Sequence, residues 1–322
     1  MTRSSLREAW SRLVAHNSFV LACHERPDGD CLGAALALAR VLKGLGKDVT
    51  TLCQDPVPEH YLFLPEAGTI AQSTDRRGFD VGVVVDCDQP HRTGNVAEII
   101  NSAKTSARID HHLSNADYGD IQVVETKISS TSELIIELFE ANDIAIDKHT
   151  ATMLLTGIIF DTGGFRYSNA TSRTFQIVSQ FAAMGIRPSR LVRAVFESRS
   201  LKSAQLLGRA LCSMEAVERG QIVIAQLAYS DYLELGVEDS DSEGIVNSVA
   251  AIKGPRVVIL LREAEQGVIR VSLRSRDGFD VSMVASAFGG GGHAVASGCT
   301  IEGTLEHARA ELISEVRQWM ES

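Results

Sequence analysis

Acidic and histidine residues follow four apolar runs of this chain, and this pattern limits the folds that it can adopt. The four blocks are His24-Glu25-Arg26-Pro27-Asp28-Gly29-Asp30, Asp86 after Val81–Val85, Asp110-His111-His112 after Ala107–Ile109, and Asp161 after Ile158–Phe160. The carboxyl ends of neighbouring parallel strands meet at one edge of a sheet, where ligands gather. The pattern therefore predicts a parallel sheet with carboxylates and imidazoles clustered at one edge.

Strand-like and helix-like segments alternate along the first part of the chain. The predicted strands cover 18–23, 48–53, 79–85 and a stretch containing 107–109, and helical patterns cover 31–45, 132–141 and 150–160. Such alternation is typical of an α/β fold with a doubly wound, mainly parallel sheet. We assign this domain to residues 1–186.

A smaller C-terminal α/β domain is predicted over residues 204–322. It has strand-like segments at 221–225, 256–261 and 268–273, and helical patterns at 282–288 and 305–320. Residues 187–203 carry five basic residues and one acid, and we interpret them as a basic helical connector. A solvated helix face explains the same charges equally well.

The composition is that of a soluble globular protein with room for two domains: 322 residues, 44% hydrophobic and 22% charged. No apolar run approaches the ~20 residues of a membrane span. The first residues lack the apolar core of a signal peptide, and the six cysteines form no Cys-x-x-Cys pair. We therefore expect a cytoplasmic protein with reduced thiols and no membrane partner. The net charge of −10 argues against duplex nucleic acid as the main ligand.

The side chains of the four blocks suit divalent metals. Mixed imidazole and carboxylate ligation favours Mn²⁺, with Mg²⁺, Co²⁺ or Zn²⁺ as alternatives. Two such ions ~3.5–4 Å apart can lower the pKa of a shared water and stabilise oxygens at phosphorus. Taken alone, each block has a simpler explanation: a turn in which Asp30 caps a helix, a surface acid at Asp86, or a structural histidine pair. Because these explanations would all have to hold together, the joint pattern favours a two-metal site.

A glycine run that ends in histidine, Gly289–His293, follows a helical pattern. Small residues let backbone N–H groups approach an anion closely, so the run predicts a phosphate-binding loop; a flexible joint is the alternative. Arg274 and Arg276 stand near the end of a predicted strand. Their guanidinium groups suit phosphate oxygens, although two exposed strand-end charges would explain them as well.

The segment after Asp161 offers further candidates. Arg166, Ser168 and Asn169 are polar residues that can contact a base or ribose. Asn169 or Thr171 can instead cap the next helix.

The four blocks resemble motifs I to IV of the DHH phosphoesterase superfamily, which is named after the tripeptide at 110–112. The Gly289–His293 run resembles the mark of its DHHA1 subfamily, so the resemblance covers nearly the whole chain. The chain length and segment 161–169 are similar to the nanoRNase branch, which degrades very short RNA oligonucleotides and dephosphorylates 3′-phosphoadenosine-5′-phosphate (pAp). Ala34 departs from the pattern, since many relatives have Ser there. We expect this difference to affect helix packing rather than chemistry.

The resemblance implies a role for each matching residue. One metal would be bound by His24, Asp28 and Asp86, and the other by Asp30, Asp86, His111 and Asp161. Asp110 would orient a ligand imidazole, and His112 would face the scissile phosphate. The substrate's phosphate would be held by Gly290, Gly291, Gly292 and His293.

The predicted activity is that of a Mn²⁺-dependent phosphodiesterase and phosphatase. It would remove 5′-mononucleotides from RNA of a few nucleotides and convert pAp to AMP. Short single-stranded RNA and pAp are therefore the expected partners, and a homodimer is left open. The alternatives are a cyclic-dinucleotide or linear-dinucleotide phosphodiesterase and a catalytically idle nucleotide-binding sensor, which would not need the full metal-ligand set.

Overall fold

The computed structural model describes residues 1–112, 118–197, 199–276 and 278–321. The chain divides into two compact units, Met1–Ser198 and Arg199–Ser322. The division lies inside the predicted connector 187–203. Among the described residues, no helix combines the length and apolar character needed to cross a membrane.

The first unit contains a six-stranded sheet in which every pairing is parallel. Its strands are β1 (Ser18–Ala22), β2 (Asp48–Leu52), β3 (Ile70–Ala71), β4 (Val81–Val85), β5 (Thr105–Asp110) and β6 (Ile121–Val124). They lie in the order β3-β2-β1-β4-β5-β6. The predicted doubly wound parallel sheet is confirmed.

Helices cover both faces of this sheet. They are α1 (Arg3–Val14), α2 (Gly29–Gly44), α3 (Ala97–Asn101), α4 (Thr131–Ala141), α5 (Lys148–Asp161), α6 (Ser172–Ala183) and α7 (Pro188–Phe196). Each face of the sheet has its own hydrophobic core, and alternate residues of β1 point into one or the other. Phe19 and Leu21 pack with α1, α2, α4 and α5, whereas Val20 and Ala22 pack with α3. This alternation follows from the two-residue period of a strand.

Small residues bring α2 and α5 close together. A side chain at Gly33 would overlap the backbone carbonyl of Met153 in α5. The small-residue composition of the predicted helix 31–45 is thus explained by helix packing as well as by the sheet beneath it.

The second unit has its own six-stranded sheet, in which β8 and β9 are parallel and the other pairs are antiparallel. Its elements are α8 (Leu201–Cys212), β7 (Glu215–Val217), β8 (Ile222–Leu227), α9 (Tyr229–Leu235), α10 (Ile245–Val249), β9 (Val257–Glu265), β10 (Val268–Ser275), α11 (Val281–Ala287), β11 (Gly291–His293), β12 (Ala296–Glu302) and α12 (Leu305–Glu321). The strand order is β11-β12-β10-β9-β8-β7. Helices α8, α9 and α10 cover one face and α11 and α12 the other, so this unit is also α/β.

The last three residues of the glycine run, Gly291–His293, form a strand that pairs with β12, where we expected a loop. A side chain at Gly290 would overlap the carbonyl of Gly298, and Gly292 has a φ of 138°, which favours glycine. The close packing of the glycine run against the backbone of β12 therefore explains the need for glycine at these positions.

Candidate active site

The carboxyl ends of β1, β4 and β5 bring the predicted metal ligands together. His24 lies two residues after β1, Asp86 directly follows β4, and Asp110 is the last residue of β5. The strand order reverses between β1 and β4, and doubly wound sheets bind ligands at such a point. The cluster thus lies at the position where sheets of this kind bind their ligands.

His24 presents one ring nitrogen to two carboxylates. Its Nδ1 is 2.8 Å from the carbonyl oxygen of Glu25, which can only accept, so Nδ1 carries the proton and Nε2 is left to bind a cation. Nε2 lies 3.6 Å from Oδ2 of Asp28 and 3.8 Å from Oδ2 of Asp86. This nitrogen therefore has the orientation that a metal ligand needs.

The two oxygens of Asp28 have different partners. Oδ1 accepts from the amides of Asp30 and Cys31, at 2.9 and 3.0 Å, and so caps α2. Oδ2 faces His24. In the first block, 24–30, we treated helix capping and metal binding as alternatives, but one aspartate can do both. The residue that caps α2 is Asp28 rather than Asp30.

Asp86 lies between two imidazoles. Its Oδ2 is 3.8 Å from Nε2 of His24 and its Oδ1 is 3.7 Å from Nε2 of His111. Its backbone is left-handed, with a φ of 56°, and its amide donates to the carbonyl of Ile109 at 2.9 Å. Strained backbone of this kind concentrates at functional sites.

A second ligand group contains Asp30, His111 and Asp161, whose ligand atoms lie within 4.8 Å of one another. Nε2 of His111 is 3.0 Å from Oδ2 of Asp161, at the end of α5. Asp30 accepts from the amides of Thr131 and Ser132, at 2.7 and 2.9 Å, at the start of α4. These amides fix the carboxylate and leave lone pairs for a cation.

Negative charge is concentrated in this cluster. Burial raises the pKa of Asp30 and of Asp86 to about 7, and neighbouring carboxylates add to the effect. Burial likewise raises the pKa of Asp161 to about 6. For His111, burial works to lower the pKa, but Asp161, Asp86 and Asp30 outweigh it and hold the pKa well above its ordinary value. Nitrogen and oxygen donors with surplus negative charge fit divalent cations.

Asp110 contacts His112, the residue that we expected to face the phosphate. Oδ1 of Asp110 accepts from the ring Nδ1 of His112 at 2.7 Å and from its amide at 3.1 Å. Oδ2 accepts from Nε of Arg108 at 3.1 Å. Although burial works to raise it, these bonds hold the pKa of Asp110 below its usual range.

The residues after Asp161 contact the protein itself. The side-chain amide of Asn169 donates to the carbonyls of Ser129 and Asp161, at 3.0 and 3.2 Å. Nε of Arg166 donates to the carbonyl of Gly163 at 2.6 Å, and Ser168 is exposed. Thr171, not Asn169, caps the next helix.

The predicted substrate residues of the second unit lie on or beside β10 and β11. Nε of Arg274 donates to Oδ1 of Asn247 at 3.1 Å, and His293 is exposed at the end of β11. Arg276 donates to the carbonyls of Ala250 and Ile252, at 2.5 and 3.2 Å, just after α10. Basic side chains commonly satisfy helix C-terminal carbonyls in this way, which gives Arg276 a structural role.

Three residues of the cluster were not identified from the sequence: Cys31, Arg108 and Thr131. The hydroxyl of Thr131 donates to Oδ1 of Asp86 at 2.7 Å. The run from Ser130 to Glu133 has the spacing of a helix N-terminal cap, and helix N-termini attract anions. That spacing was the available signal for Thr131.

Two family models match the chain. The model of the DHH family N-terminal domain matches residues 18–158, and that of the DHHA1 domain matches residues 220–322. The two matches fall on the two compact units.

Curated relatives match most of the chain. The chain is 31% identical to the bifunctional oligoribonuclease and PAP phosphatase NrnA of Thermus thermophilus, over 92% of this chain and 89% of the relative. It is 26% identical to the protein of the same name from Bacillus subtilis, over 89% of this chain and 90% of the relative. Among solved structures, an exopolyphosphatase-related protein from Bacteroides fragilis is similar with a TM-score of 0.90 and 27% identity, covering 99% of this chain and 97% of that one.

Proposed function

The chain belongs to the DHH/DHHA1 phosphoesterase family, in its nanoRNase and pAp phosphatase branch, and from this premise we propose that it is a two-metal phosphohydrolase. It degrades very short RNA oligonucleotides to 5′-mononucleotides and dephosphorylates pAp to AMP. The relatives named as bifunctional oligoribonucleases and PAP phosphatases support this assignment.

The position of Asp86 is the observation that carries the proposal. One of its oxygens lies 3.8 Å from the His24 ring and the other 3.7 Å from the His111 ring. A carboxylate whose two oxygens face two ligand groups, as these do, can bridge two cations. We therefore assign Asp86 to both ions, His24 and Asp28 to one, and Asp30, His111 and Asp161 to the other.

Bound divalent ions would supply Lewis acidity and a lowered water pKa beside the phosphorus. We propose Mn²⁺ because it accepts mixed nitrogen and oxygen donors. The protein's own contribution is positioning. Asp110 holds the His112 ring through Nδ1, so that Nε2 can face the scissile phosphate or the leaving oxygen.

We assign substrate binding in the second unit to Arg274, His293 and the backbone of Gly290, Gly291 and Gly292. The fork of Arg274 suits phosphate oxygens. Arg274 donates to Asn247 through Nε and to the adjacent carbonyl of Leu273 through Nη1. Both Nη groups of Arg276 and the side-chain amide of Asn169 donate to carbonyls of other segments, so we give these two residues a smaller part in substrate contact. A phosphate on an unpaired nucleotide, which short RNA and pAp share, fits these residues.

A substrate series tests the proposal. Purified protein with Mn²⁺ would be offered 5′-labelled RNA from the dinucleotide upward, pAp, a linear dinucleotide and a cyclic dinucleotide. The shortest RNA species and pAp should be converted fastest. Preference for the cyclic ring would favour the dinucleotide-phosphodiesterase alternative, and tight binding without any product would favour the sensor.

Asp86→Asn tests the shared ligand in the same assay. Asparagine tolerates the left-handed backbone at this position, so the fold should persist. Turnover of every substrate should be lost, whereas Asp75→Asn, at an exposed aspartate, should retain it. Near-normal turnover by Asp86→Asn would exclude the two-metal arrangement.

A further inference from the structure

The sulfur of Cys31 belongs to the same ligand group as His24 and Asp86. One ligand atom from each of these residues lies within 4.8 Å of the other two. All three residues are buried: Cys31 is 0% exposed, Asp86 2% and His24 6%.

These separations suit one shared cation. A zinc ion binds sulfur at about 2.3 Å and imidazole nitrogen at about 2.1 Å, so two such donors lie at most about 4.4 Å apart. In the observed group no two ligand atoms are more than 4.8 Å apart, which exceeds that limit by at most a few tenths of an ångström. The thiol's contact with the carbonyl of Val85 is 3.6 Å long, which holds it only loosely.

The two ligand groups differ in chemical softness. Cys31 adds sulfur to the group around His24, whereas the group of Asp30, His111 and Asp161 offers only nitrogen and oxygen. Thiolate ligands select zinc and other soft or borderline ions, and carboxylates suit Mg²⁺ and Mn²⁺. One shared site therefore contains two unequal positions.

We propose that Cys31 is a thiolate ligand of the ion held by His24 and Asp86, so that this position prefers a thiophilic ion such as Zn²⁺ while the other prefers Mn²⁺ or Mg²⁺. The inference rests on the metal site of the proposed function. On coordination the thiol loses its proton to solvent and the sulfur binds the metal.

Absorption spectroscopy of the intact protein tests the ligand directly. Metal-free protein would be titrated with Co²⁺ or Cd²⁺, whose bonds to thiolate give charge-transfer bands that oxygen and nitrogen ligands lack. The wild-type protein should show such a band at one equivalent of metal. Cys31→Ser and Cys31→Ala should abolish it and weaken Cd²⁺ binding by a factor on the order of 10–100, with a much smaller change for Mn²⁺.

Cys53→Ser is the matched control. Its thiol is also buried, but it contacts the backbone carbonyl of His24 at 3.4 Å rather than joining the ligand group. This variant should keep the band. A band that survives Cys31→Ala but disappears with Cys53→Ser would overturn the assignment.

Two other outcomes separate this inference from the proposed function. Wild-type protein that binds two ions and turns over substrate without a charge-transfer band would refute the sulfur ligand alone. Wild-type protein that binds no divalent ion, by metal analysis after dialysis, would refute both.

Discussion

The Asp110 carboxylate joins the buried Arg108 guanidinium to the His112 ring. Oδ2 accepts from Arg108 at 3.1 Å and Oδ1 accepts from Nδ1 of His112 at 2.7 Å. The Arg108 side chain is only 3% exposed and that of Asp110 is 0% exposed. His112 is therefore oriented from inside the sheet, because both partners belong to β5.

Asp110→Asn should lower kcat more than it weakens metal binding. An amide cannot stabilise a protonated His112 ring, and loss of an orienting carboxylate typically costs a factor on the order of 10–100 in activity. Steady-state kinetics with pAp and Mn²⁺ titration would separate the two effects. Unchanged kcat in a folded variant would contradict a role for Asp110 in orienting His112.

Arg108→Met should destabilise the fold. It leaves the Asp110 charge buried without its guanidinium partner, and breaking a buried pair on one side costs about 3–5 kcal/mol. Urea unfolding of the metal-free protein would measure the loss. The double variant Arg108→Met/Asp110→Asn should lose less than the two single losses added together, because the residues interact directly. Simple additivity would show that the pair is not coupled.

Thr131→Val should weaken metal binding without unfolding the protein. Valine keeps the shape of threonine but removes the hydroxyl that donates to Asp86. The backbone amide that binds Asp30 is retained. We expect a loss in Mn²⁺ affinity on the order of 10-fold, measured by calorimetry. Thr131→Ser, which keeps the hydroxyl, should bind as the wild type does, and equal losses in both variants would assign the effect to packing.

Gly157→Ala should impair both stability and metal binding. A side chain at this position in α5 would overlap the Ser132 hydroxyl and the Asp30 carboxylate. Overpacking in a core costs about 1–3 kcal/mol, and here the displaced group is a proposed ligand. Gly44→Ala, at the end of α2 with open space around it, is the control and should be neutral or slightly stabilising. Thermal unfolding would measure the Tm of both variants without Mn²⁺ and the increase in Tm when Mn²⁺ is added.

The sequence predicted the parts of the site that come from strand ends. Asp86 follows the β-branched run Val81–Val85 and Asp110 follows the short strand-like segment 107–109, and the parallel pairing of β4 with β5 places these ends together. The carboxyl ends of neighbouring strands must lie side by side in a parallel sheet. The positions of these aspartates along the chain were therefore sufficient to predict that they lie close together. The doubly wound fold was predictable for the same reason.

Contacts between distant segments were not predictable in this way. Thr131 reaches Asp86 only because α4 begins beside the end of β4. The capping pattern from Ser130 to Glu133 predicts a helix N-terminus, but it does not say which carboxylate lies beside it. Cys31 looked like one more small apolar residue of α2, although its sulfur lies beside His24. For Arg276 the difference is the reverse. Its positive charge predicted a contact with phosphate, whereas its guanidinium group donates to backbone carbonyls just after α10.

The stabilising effect of Mn²⁺ should increase with pH. Burial raises the pKa of Asp30 and Asp86 to about 7 in the metal-free fold, whereas a carboxyl group in an unfolded chain titrates near ~3.9. Between these values the folded state holds protons that the unfolded state has lost, so the contribution of these groups to stability falls as pH rises from about 4 to about 7. Bound Mn²⁺ replaces the protons and so removes the loss of folding stability that the charged carboxylates cause at high pH.

The increase in Tm on adding Mn²⁺ should therefore be larger at about pH 8 than at about pH 5.5. Asp30→Asn should flatten the pH dependence of the metal-free Tm, and an equal Mn²⁺ effect at both pH values would contradict the charge argument.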